Sequence, residues 1–401
     1  MKSSLVAVPP QVSSYRWFVL ALAALTFTLV MGMPNMSLPV LFPEIAADLQ
    51  LTIVQVGVVW GVGSLTGIVM GLLGGLIGDR IGAQRTLLIF CAFIGVAGAA
   101  RGLASGFSTL VFTVFLLGVA TPVVPTNIHK ICGIWFPGRQ LGMANGVVST
   151  GMALGFMLGS LLSATVLSPW LGGWRNVLFF YGVVALLFSL FWAFTKSAPD
   201  ETDGPRQQHR PPVRQGLVHV MQLRNVWLLG LTLFGVSGAI QGTLGYLPSY
   251  LRAVGWEPAT ADSALASFHG MSMLLAIPLA MLSDRLGKRR QLLIVGIVLI
   301  TIGFAMLIVV TGPLVWLAVI LAGMTRDGFM AIFMTKVLET EGVGTTYAGT
   351  ATGLTLGCAM LGSVLAPPLG NSLESIALNV PFALWSGMLL LGLVALFFVQ
   401  E

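Results

Sequence analysis

Charged side chains are scarce in this sequence. Only 8% of its 401 residues are Asp, Glu, Lys or Arg, whereas 56% are hydrophobic. Because a soluble domain carries about 25% charged and about 45–50% apolar residues, this composition excludes an ordinary soluble domain. It is typical of a protein embedded in a lipid bilayer. The 49 glycines agree with that interpretation, since glycine lets membrane helices approach one another closely.

The residue patterns that hold metals, phosphates or reaction intermediates are also missing. The three cysteines, Cys91, Cys132 and Cys358, stand singly and have no CxxC or other metal-ligand spacing. The sequence contains no phosphate-binding loop and no catalytic triad. We therefore expect no metal, no cofactor and no enzymatic activity. The N-terminal stretch shows no cleavable signal peptide, so the first apolar segment is expected to remain in the membrane.

Twelve apolar segments are long enough to span a bilayer as helices, which takes about 20 residues each. They fall at 17–41, 52–77, 86–104, 108–131, 143–168, 174–195, 226–251, 260–282, 291–310, 314–336, 346–369 and 378–399. A polar, Pro-rich stretch at 196–225 separates the first six from the last six. The sequence thus predicts an all-α membrane protein. Residues 1–195 and 226–401 would each form a six-helix bundle, and 196–225 would be a cytoplasmic linker.

The distribution of Lys and Arg predicts the orientation of these segments. If the N-terminus is cytoplasmic, sixteen of the 20 Lys and Arg residues fall on the cytoplasmic side. Arg101, Arg175 and Arg252 fall outside, and Arg326 falls within the tenth segment. We therefore expect a multi-pass protein of the cell inner membrane with both termini in the cytoplasm. The same bias explains the net charge of +6, so no nucleic acid partner is expected.

Two short motifs recur in the two halves of the chain. The sequence GDRIGAQR at 78–85 returns as SDRLGKRR at 283–290, each between the second and third segments of its half. Residues 75–87, GLIGDRIGAQRTL, resemble the loop signature G-x-L-x-D-R-x-G-R-K-x-x-L of the major facilitator superfamily. The motif positions that we assign to gating are Gly75, Asp79, Arg80, Gly82 and Arg85 in the first copy and Asp284, Arg285, Gly287 and Arg289 in the second.

This resemblance implies two pseudo-symmetric six-helix bundles that rock about a central site, acting as a monomer. The stretches IWFPGRQLGMANGV at 134–147 and GYLPSYLRAVG at 245–255 are similar to the cyanate-permease, nitrate/nitrite-porter and organic-anion branches. Drug exporters of the family carry a Gly-Pro signature in the fifth helix. Here that helix has Gly151, Gly155 and Gly159 at four-residue spacing and no Gly-Pro, which favours uptake over efflux and predicts close helix packing.

The stretch GMTRDGF at 323–329 places two opposite charges inside the tenth apolar segment. An Asp or Arg at a helix centre costs about 2.5–3.5 kcal/mol on insertion scales, so both are functional candidates. Arg326 is interpreted either as the contact for an anionic substrate or as part of a structural ion pair. Asp327 is its counter-ion or a proton carrier that couples transport. Since adjacent helical residues point about 100° apart, we expect the two side chains to face different ways rather than to pair.

Other polar residues in apolar segments are weaker candidates. His269, in the eighth segment, is either a ligand or proton-carrying group or a structural hydrogen-bond donor. Further candidates for substrate binding are Asn35, Gln241, Tyr246 and Asn127. A cytoplasmic path for an anion is predicted from His129, Lys130 and Lys336. The alternative is that the two lysines are snorkelling side chains that obey the positive-inside rule.

These observations predict a secondary active transporter, a symporter that takes up a small anion by alternating access. The expected partners are a small-molecule anion, either inorganic or a short monocarboxylate, and the lipid bilayer, with protons as the candidate coupling ion. The alternative is a proton-driven exporter of amphipathic drugs or metabolites, for which Met- and Phe-rich helices would offer an adaptable surface.

Overall fold

The computed structural model describes residues 14–136, 140–195 and 213–399. Within these ranges every regular element is helical. The α-helices are α1 (Tyr15–Leu25), α2 (Met33–Leu49), α3 (Ile53–Val62), α4 (Gly67–Ile81), α5 (Ala83–Ala100), α6 (Phe107–Ala120), α7 (Val123–Trp135), α8 (Leu141–Leu162), α9 (Ser168–Leu171), α10 (Trp174–Phe194), α11 (Val213–Gln222), α12 (Arg224–Ala253), α13 (Pro258–Leu286), α14 (Arg289–Val309), α15 (Leu314–Gly323), α16 (Arg326–Leu338), α17 (Gly344–Ser372) and α18 (Val380–Phe397). Short π-helical stretches join α1 to α2 and α8 to α9, and a 3₁₀ turn at Arg101–Leu103 follows α5.

Eleven continuous helical stretches in the described ranges are long and apolar enough to cross a membrane. The remaining span, predicted as one helix at 52–77, is broken into α3 and α4 by a turn at residues 63–66. The turn is rich in Gly, Ser and Thr, which are poor helix formers. With the broken span included, the architecture is the predicted twelve-helix major facilitator fold.

The linker predicted at 196–225 lies partly outside the described residues, because residues 196–212 are not described. From Val213 onward the chain is already helical, so the last part of this stretch is the amphipathic helix α11 rather than an irregular segment. The His219 ring stacks on Tyr347 of α17 at a centroid distance of 4.3 Å, and its Nε2 lies 2.9 Å from the Gly342 carbonyl oxygen. The helix is therefore docked on the second half.

The glycine stripe of the fifth span forms a close helix contact, as the sequence predicted. A Cβ at Gly155 would lie 2.5 Å from the Thr28 carbonyl oxygen, and one at Gly159 would lie 2.5 Å from that of Met33. The Thr28 hydroxyl also donates a hydrogen bond of 2.8 Å to the Gly151 carbonyl. The stripe thus fixes the first span directly against the fifth.

Replacing Gly155 with Ala is expected to destabilise the protein by about 1–3 kcal/mol, because the added methyl group must push two helix backbones apart. The measurement is the thermal melting of purified protein in detergent. Gly146→Ala is the matched control on the same helix, since no atom lies within 4 Å of its Cβ position. Equal melting temperatures for the two variants would contradict this packing.

The two halves are joined at the end of the bundle that the charge distribution predicts to be outside. Hydrogen bonds cross between them there, from Trp60 Nε1 to the Gln241 carbonyl at 2.7 Å, from Asn371 Nδ2 to the Ile53 carbonyl at 2.9 Å and from Arg252 Nη1 to the Val40 carbonyl at 3.2 Å. The repeated motif loops lie at the opposite end, where Gly82 and Gly287 turn the chain with φ of 88° and 63°. These positive φ values are the reason for glycine at both positions.

Candidate functional site

Arg326 and Asp327 lie at a break in the tenth span. The helix α15 ends at Gly323, a turn follows, and α16 starts at Arg326. Gly323 lets this point approach the backbone of α13 at Phe268. The backbone N–H of Asp327 donates to the Ser272 hydroxyl at 3.1 Å. Asp327 therefore sits in the first turn of α16, where the helix dipole stabilises a negative charge.

The two adjacent charges do pair, so the expectation that they would face different directions is wrong. Arg326 Nη1 donates to Asp327 Oδ1 at 2.8 Å. The long Arg326 side chain can fold back onto Asp327 because Arg326 is the first residue of α16. It follows a non-helical turn, so no preceding turn of the same helix packs against it. The pair occupies one of the five guanidinium N–H donors, so most of them remain for a ligand. The side chains are 21% and 28% exposed, so neither is sealed in the core.

Phe156 connects this pair to the other half of the protein. It belongs to α8, yet Arg326 Cζ lies 5.3 Å from its ring centroid, within the range of a cation–π contact. The His269 ring lies 5.2 Å from the same centroid. His269 itself is 1% exposed, and both of its ring nitrogens lack a hydrogen-bond partner among the described residues. The structure thus brings together the predicted Arg326, Asp327 and His269 where the two halves meet.

A cavity of about 70 Å³ lies within the first half, and Phe156 is one of the residues that line it. The predicted Asn35 lines it, together with Thr121 and Tyr181. Arg101 also lines it. The Lys and Arg distribution places this residue on the outer side of the membrane and does not predict that its side chain is buried. Its side chain is 1% exposed inside the bundle. The available signal was its position within the apolar run 86–104, in which it is the only charged residue.

Tyr246 and Asn127, predicted to bind substrate, have structural contacts instead. The Tyr246 hydroxyl donates to the Leu378 carbonyl at 3.0 Å, and its ring packs against Trp385 in the core of the second half. Asn127 is fully buried, and its Nδ2 donates to the carbonyls of Gly74 and Val123 at 3.0 and 2.9 Å. Asn127 therefore ties α7 to α4.

Gln241, another predicted ligand, takes part in the junction of the halves. Its backbone carbonyl accepts the Trp60 indole N–H, and its side chain is half-buried. The structure does not connect it to Arg326 through any hydrogen bond among the described residues.

The predicted cytoplasmic path is only partly assembled. Lys130 is engaged with the first motif, since its Nζ donates to Asp79 Oδ1 at 3.0 Å and to the Gly78 carbonyl at 2.7 Å. His129 Nδ1 lies 3.0 Å from Asn145 Oδ1, and Lys336 is half-buried near the end of α16. Lys130 is thus a partner of the motif acid rather than a free cation for an anion path.

The two motif copies have related surroundings. In the first, Asp79 pairs with Lys130, while Arg80 is exposed and Gly75 faces Thr126 of α7. Arg85 belongs to the first turn of α5. In the second, Arg289 pairs with Glu339, and Arg285 is exposed; the side chain of Asp284 lies outside what the structure describes. Each half therefore ties its motif loop to the inner end of its fourth helix by an ion pair.

Comparison with known proteins agrees with this architecture. Residues 17–367 match the family model described as Major Facilitator Superfamily. The chain is 24% identical to a probable sulfoacetate transporter of Cupriavidus necator, with 91% of this chain and 90% of that protein covered. It is also 24% identical to a gallate transporter of Pseudomonas putida, with 92% and 88% covered. A probable nitrate/nitrite antiporter of Thermus thermophilus is 28% identical, with 72% and 66% covered.

A solved structure of a nucleoside transporter has the same fold. It superposes with a TM-score of 0.82 at 13% identity, covering 97% of this chain and all of that one. The curated relatives confirm the resemblance to the nitrate/nitrite and organic-anion branches that the sequence motifs indicated. With the family model matching most of its length, the chain belongs to the Major Facilitator Superfamily and is a membrane transporter rather than an enzyme.

Proposed function

We propose that this protein takes up a small organic anion by alternating access and that Arg326 binds the anionic group. The observation that carries the proposal is a partly exposed guanidinium at a helix break, located where the two halves meet and 5.3 Å from the ring centroid of Phe156 in the opposite half. A planar guanidinium matches a carboxylate or sulfonate with two parallel hydrogen bonds. A ligand held there would contact both halves, as alternating access requires.

The ion pair gives Asp327 the role of counter-ion. It neutralises Arg326 while the site is empty, at a distance of 2.8 Å. An incoming anion competes with Asp327 for the guanidinium, so binding loosens the contact between them. This arrangement favours a fixed counter-ion over a proton carrier, and the buried His269 stands next to it as a hydrogen-bonding group for the ligand.

The substrate class follows from the relatives and from the surroundings of Arg326. The probable sulfoacetate transporter and the gallate transporter each align with about nine tenths of this chain, and both are named for organic anions. The aromatic ring beside Arg326 suits an anion with an apolar or planar body better than a bare inorganic ion. We therefore place small organic carboxylates and sulfonates ahead of nitrate.

The contacts at the two ends support an inward-open state. The halves are hydrogen-bonded to each other at the predicted outer end. Near the opposite end, the Cβ positions of Gly142 and Gly146 on α8 and of Gly349 and Gly353 on α17 have no atom within 4 Å. The orientation of the bundle, with both termini in the cytoplasm of an inner-membrane protein, rests on the Lys and Arg bias.

The test is uptake into proteoliposomes that contain the purified protein. Labelled gallate, sulfoacetate, a short monocarboxylate and nitrate are supplied outside, with and without an inward proton gradient. We expect saturable uptake of at least one organic anion above the level in protein-free liposomes. Uptake that needs the gradient would identify proton coupling. No uptake of any anion in either condition, together with extrusion of an amphipathic dye, would replace this proposal by the exporter.

A further inference from the structure

Arg101 is a buried cation without an anionic partner. Its side chain is 1% exposed, and no carboxylate lies within ion-pair distance of it among the described residues. Its Nε donates to the Gly98 carbonyl at 3.2 Å, which satisfies one donor at the end of α5. Its Nη1 has no hydrogen-bond partner in the described structure. Isolated buried charges are costly, so proteins pair them or use them.

A purely structural role accounts for only part of this arrangement. A cation at a helix C-terminus interacts favourably with the helix dipole, and the Nε contact with Gly98 is of that kind. However, a capping role does not require the guanidinium to line a cavity. Nor does it account for Nη1, which is buried and has no hydrogen-bond partner in the described structure.

The cavity itself has the chemistry of a binding site for a small anion. Its volume of about 70 Å³ corresponds to roughly five water molecules at about 10–15 Å³ each. Its walls are mainly apolar, and no acidic side chain lines it among the residues that the structure describes. Besides Arg101, the polar side chains in its lining are those of Asn35, Thr121 and Tyr181. Of these, the Tyr181 hydroxyl is hydrogen-bonded to Ser163 at 2.8 Å, whereas Asn35 is exposed.

Phe156 places this cavity next to the site already described. The same ring lines the cavity and carries Arg326 on it at 5.3 Å. Phe156 therefore neighbours both the cavity that Arg101 lines and the Arg326 guanidinium of the second half.

We propose that the Arg101 cavity is a second anion-binding subsite, located entirely in the first half, that holds the carboxylate of a small organic acid with a short apolar body. The proposal rests on the proposed function, because it assigns a further subsite for the same class of substrate. Arg101 binds the carboxylate through its guanidinium group, the apolar walls cover the body, and Asn35 or Thr121 offers a hydrogen bond to any hydroxyl group.

The test uses two probes of the same shape, propionate and propionamide, which differ in charge. Binding to the purified full-length protein in detergent is measured by saturation-transfer NMR, and thermal melting reports stability. Because Arg326 is proposed to bind the same class of anion, the Arg101 variants are made in the Arg326→Gln background. We expect Arg326→Gln to prefer propionate over propionamide by about tenfold or more. Adding Arg101→Gln should reduce that preference to within about twofold, and adding Arg101→Lys should keep part of it.

Two further variants control for structure. Gly98 lines the cavity, and a methyl group there would lie 3.8 Å from Arg101 Nη2, an ordinary van der Waals contact. Gly98→Ala keeps the charge and should narrow the cavity, so it should weaken propionate binding without lowering stability. Arg224→Gln removes an exposed charge and should match the wild type. Arg101→Gln should melt no lower than the wild type, because removing an unpaired buried charge relieves a cost.

Two results would overturn the subsite. One is a propionate preference that is unchanged when Arg101→Gln is added to Arg326→Gln; if that variant also melts at a lower temperature, the role of Arg101 is structural. The other is loss of the preference in Arg326→Gln alone, which would leave the proposed function standing. Failure of the proposed function would give a different result, namely no uptake of any anion into proteoliposomes.

Discussion

Uptake of the organic anion should fall by roughly 30-fold or more when Arg326 is replaced by Gln. In the proposed function the bound anion and the Arg326 guanidinium form a desolvated, hydrogen-bonded charge pair. Removing one partner of such a pair costs about 2–5 kcal/mol, and about 1.4 kcal/mol corresponds to a factor of ten in binding. Gln keeps part of the length and a polar end but loses the charge and the planar fork of donors. The measurement is the initial rate of uptake into proteoliposomes as a function of substrate concentration, at equal amounts of inserted protein.

Three variants separate binding from folding in this experiment. Arg326→Gln leaves Asp327 without its partner, so the double variant Arg326→Gln with Asp327→Asn removes the stranded charge and should restore stability without restoring uptake. Arg326→Lys keeps the charge but not the bidentate geometry and should retain a small fraction of the activity. Arg224→Gln, an exposed charge at the start of α12, should transport like the wild type. If Arg326→Gln also does so, the assignment of the site is wrong.

The second large effect concerns stability at the predicted outer end. Asp262 is fully buried, and both of its carboxylate oxygens accept hydrogen bonds of 2.7 Å from Arg252 Nη2. Replacing Asp262 with Ala leaves a cation without its counter-ion in the bundle and is expected to destabilise the protein by about 3–5 kcal/mol. Thermal melting of the purified protein measures the loss.

A double variant tests whether the cost arises from the stranded charge. Replacing both Arg252 and Asp262 with Leu should recover most of the stability, because an apolar pair of similar size can substitute for a buried ion pair. Glu339→Ala is the comparison for a more exposed ion pair. It removes the pair with Arg289, whose two side chains are 23% and 46% exposed, and should lower the free energy of unfolding by at most about 1 kcal/mol. A loss in Asp262→Ala no larger than that in Glu339→Ala would contradict the argument.

The same ion pair bears on the transport cycle. The Arg252 guanidinium that holds Asp262 also donates from Nη1 to the Val40 carbonyl of the first half. The pair therefore orients a hydrogen-bond donor across the junction of the two halves. In the alternating-access proposal this contact must break when the outer end opens, so the Leu double variant should be stable yet close its outer end less firmly.

Several residues show why side-chain partners could not be predicted from the amino-acid sequence. Lys130 and Asp79 are 51 residues apart and belong to different helices, so only the packing of α4 on α7 reveals that they pair. Arg326 and Asp327 are adjacent, yet their pairing depends on the break before α16, which places them at a helix start. Tyr246 looked like a ligand in a polar stretch, but its helix turns it towards Leu378 and the aromatic core.

The sequence by itself determined the membrane class, the twelve spans, the repeat of two halves, the family and the close contact along Gly151, Gly155 and Gly159. The family followed from the resemblance of residues 75–87 to the loop signature. The other properties depend on local composition and periodicity, which hydrophobic burial and helix geometry convert directly into structure. Only the tertiary structure decided that Arg101 lines an interior cavity, that α3 and α4 are separate helices and that Phe156 of one half meets Arg326 of the other. Those features arise from contacts between helices distant in the chain, and hydropathy along a single segment carries no record of which neighbour each face will meet.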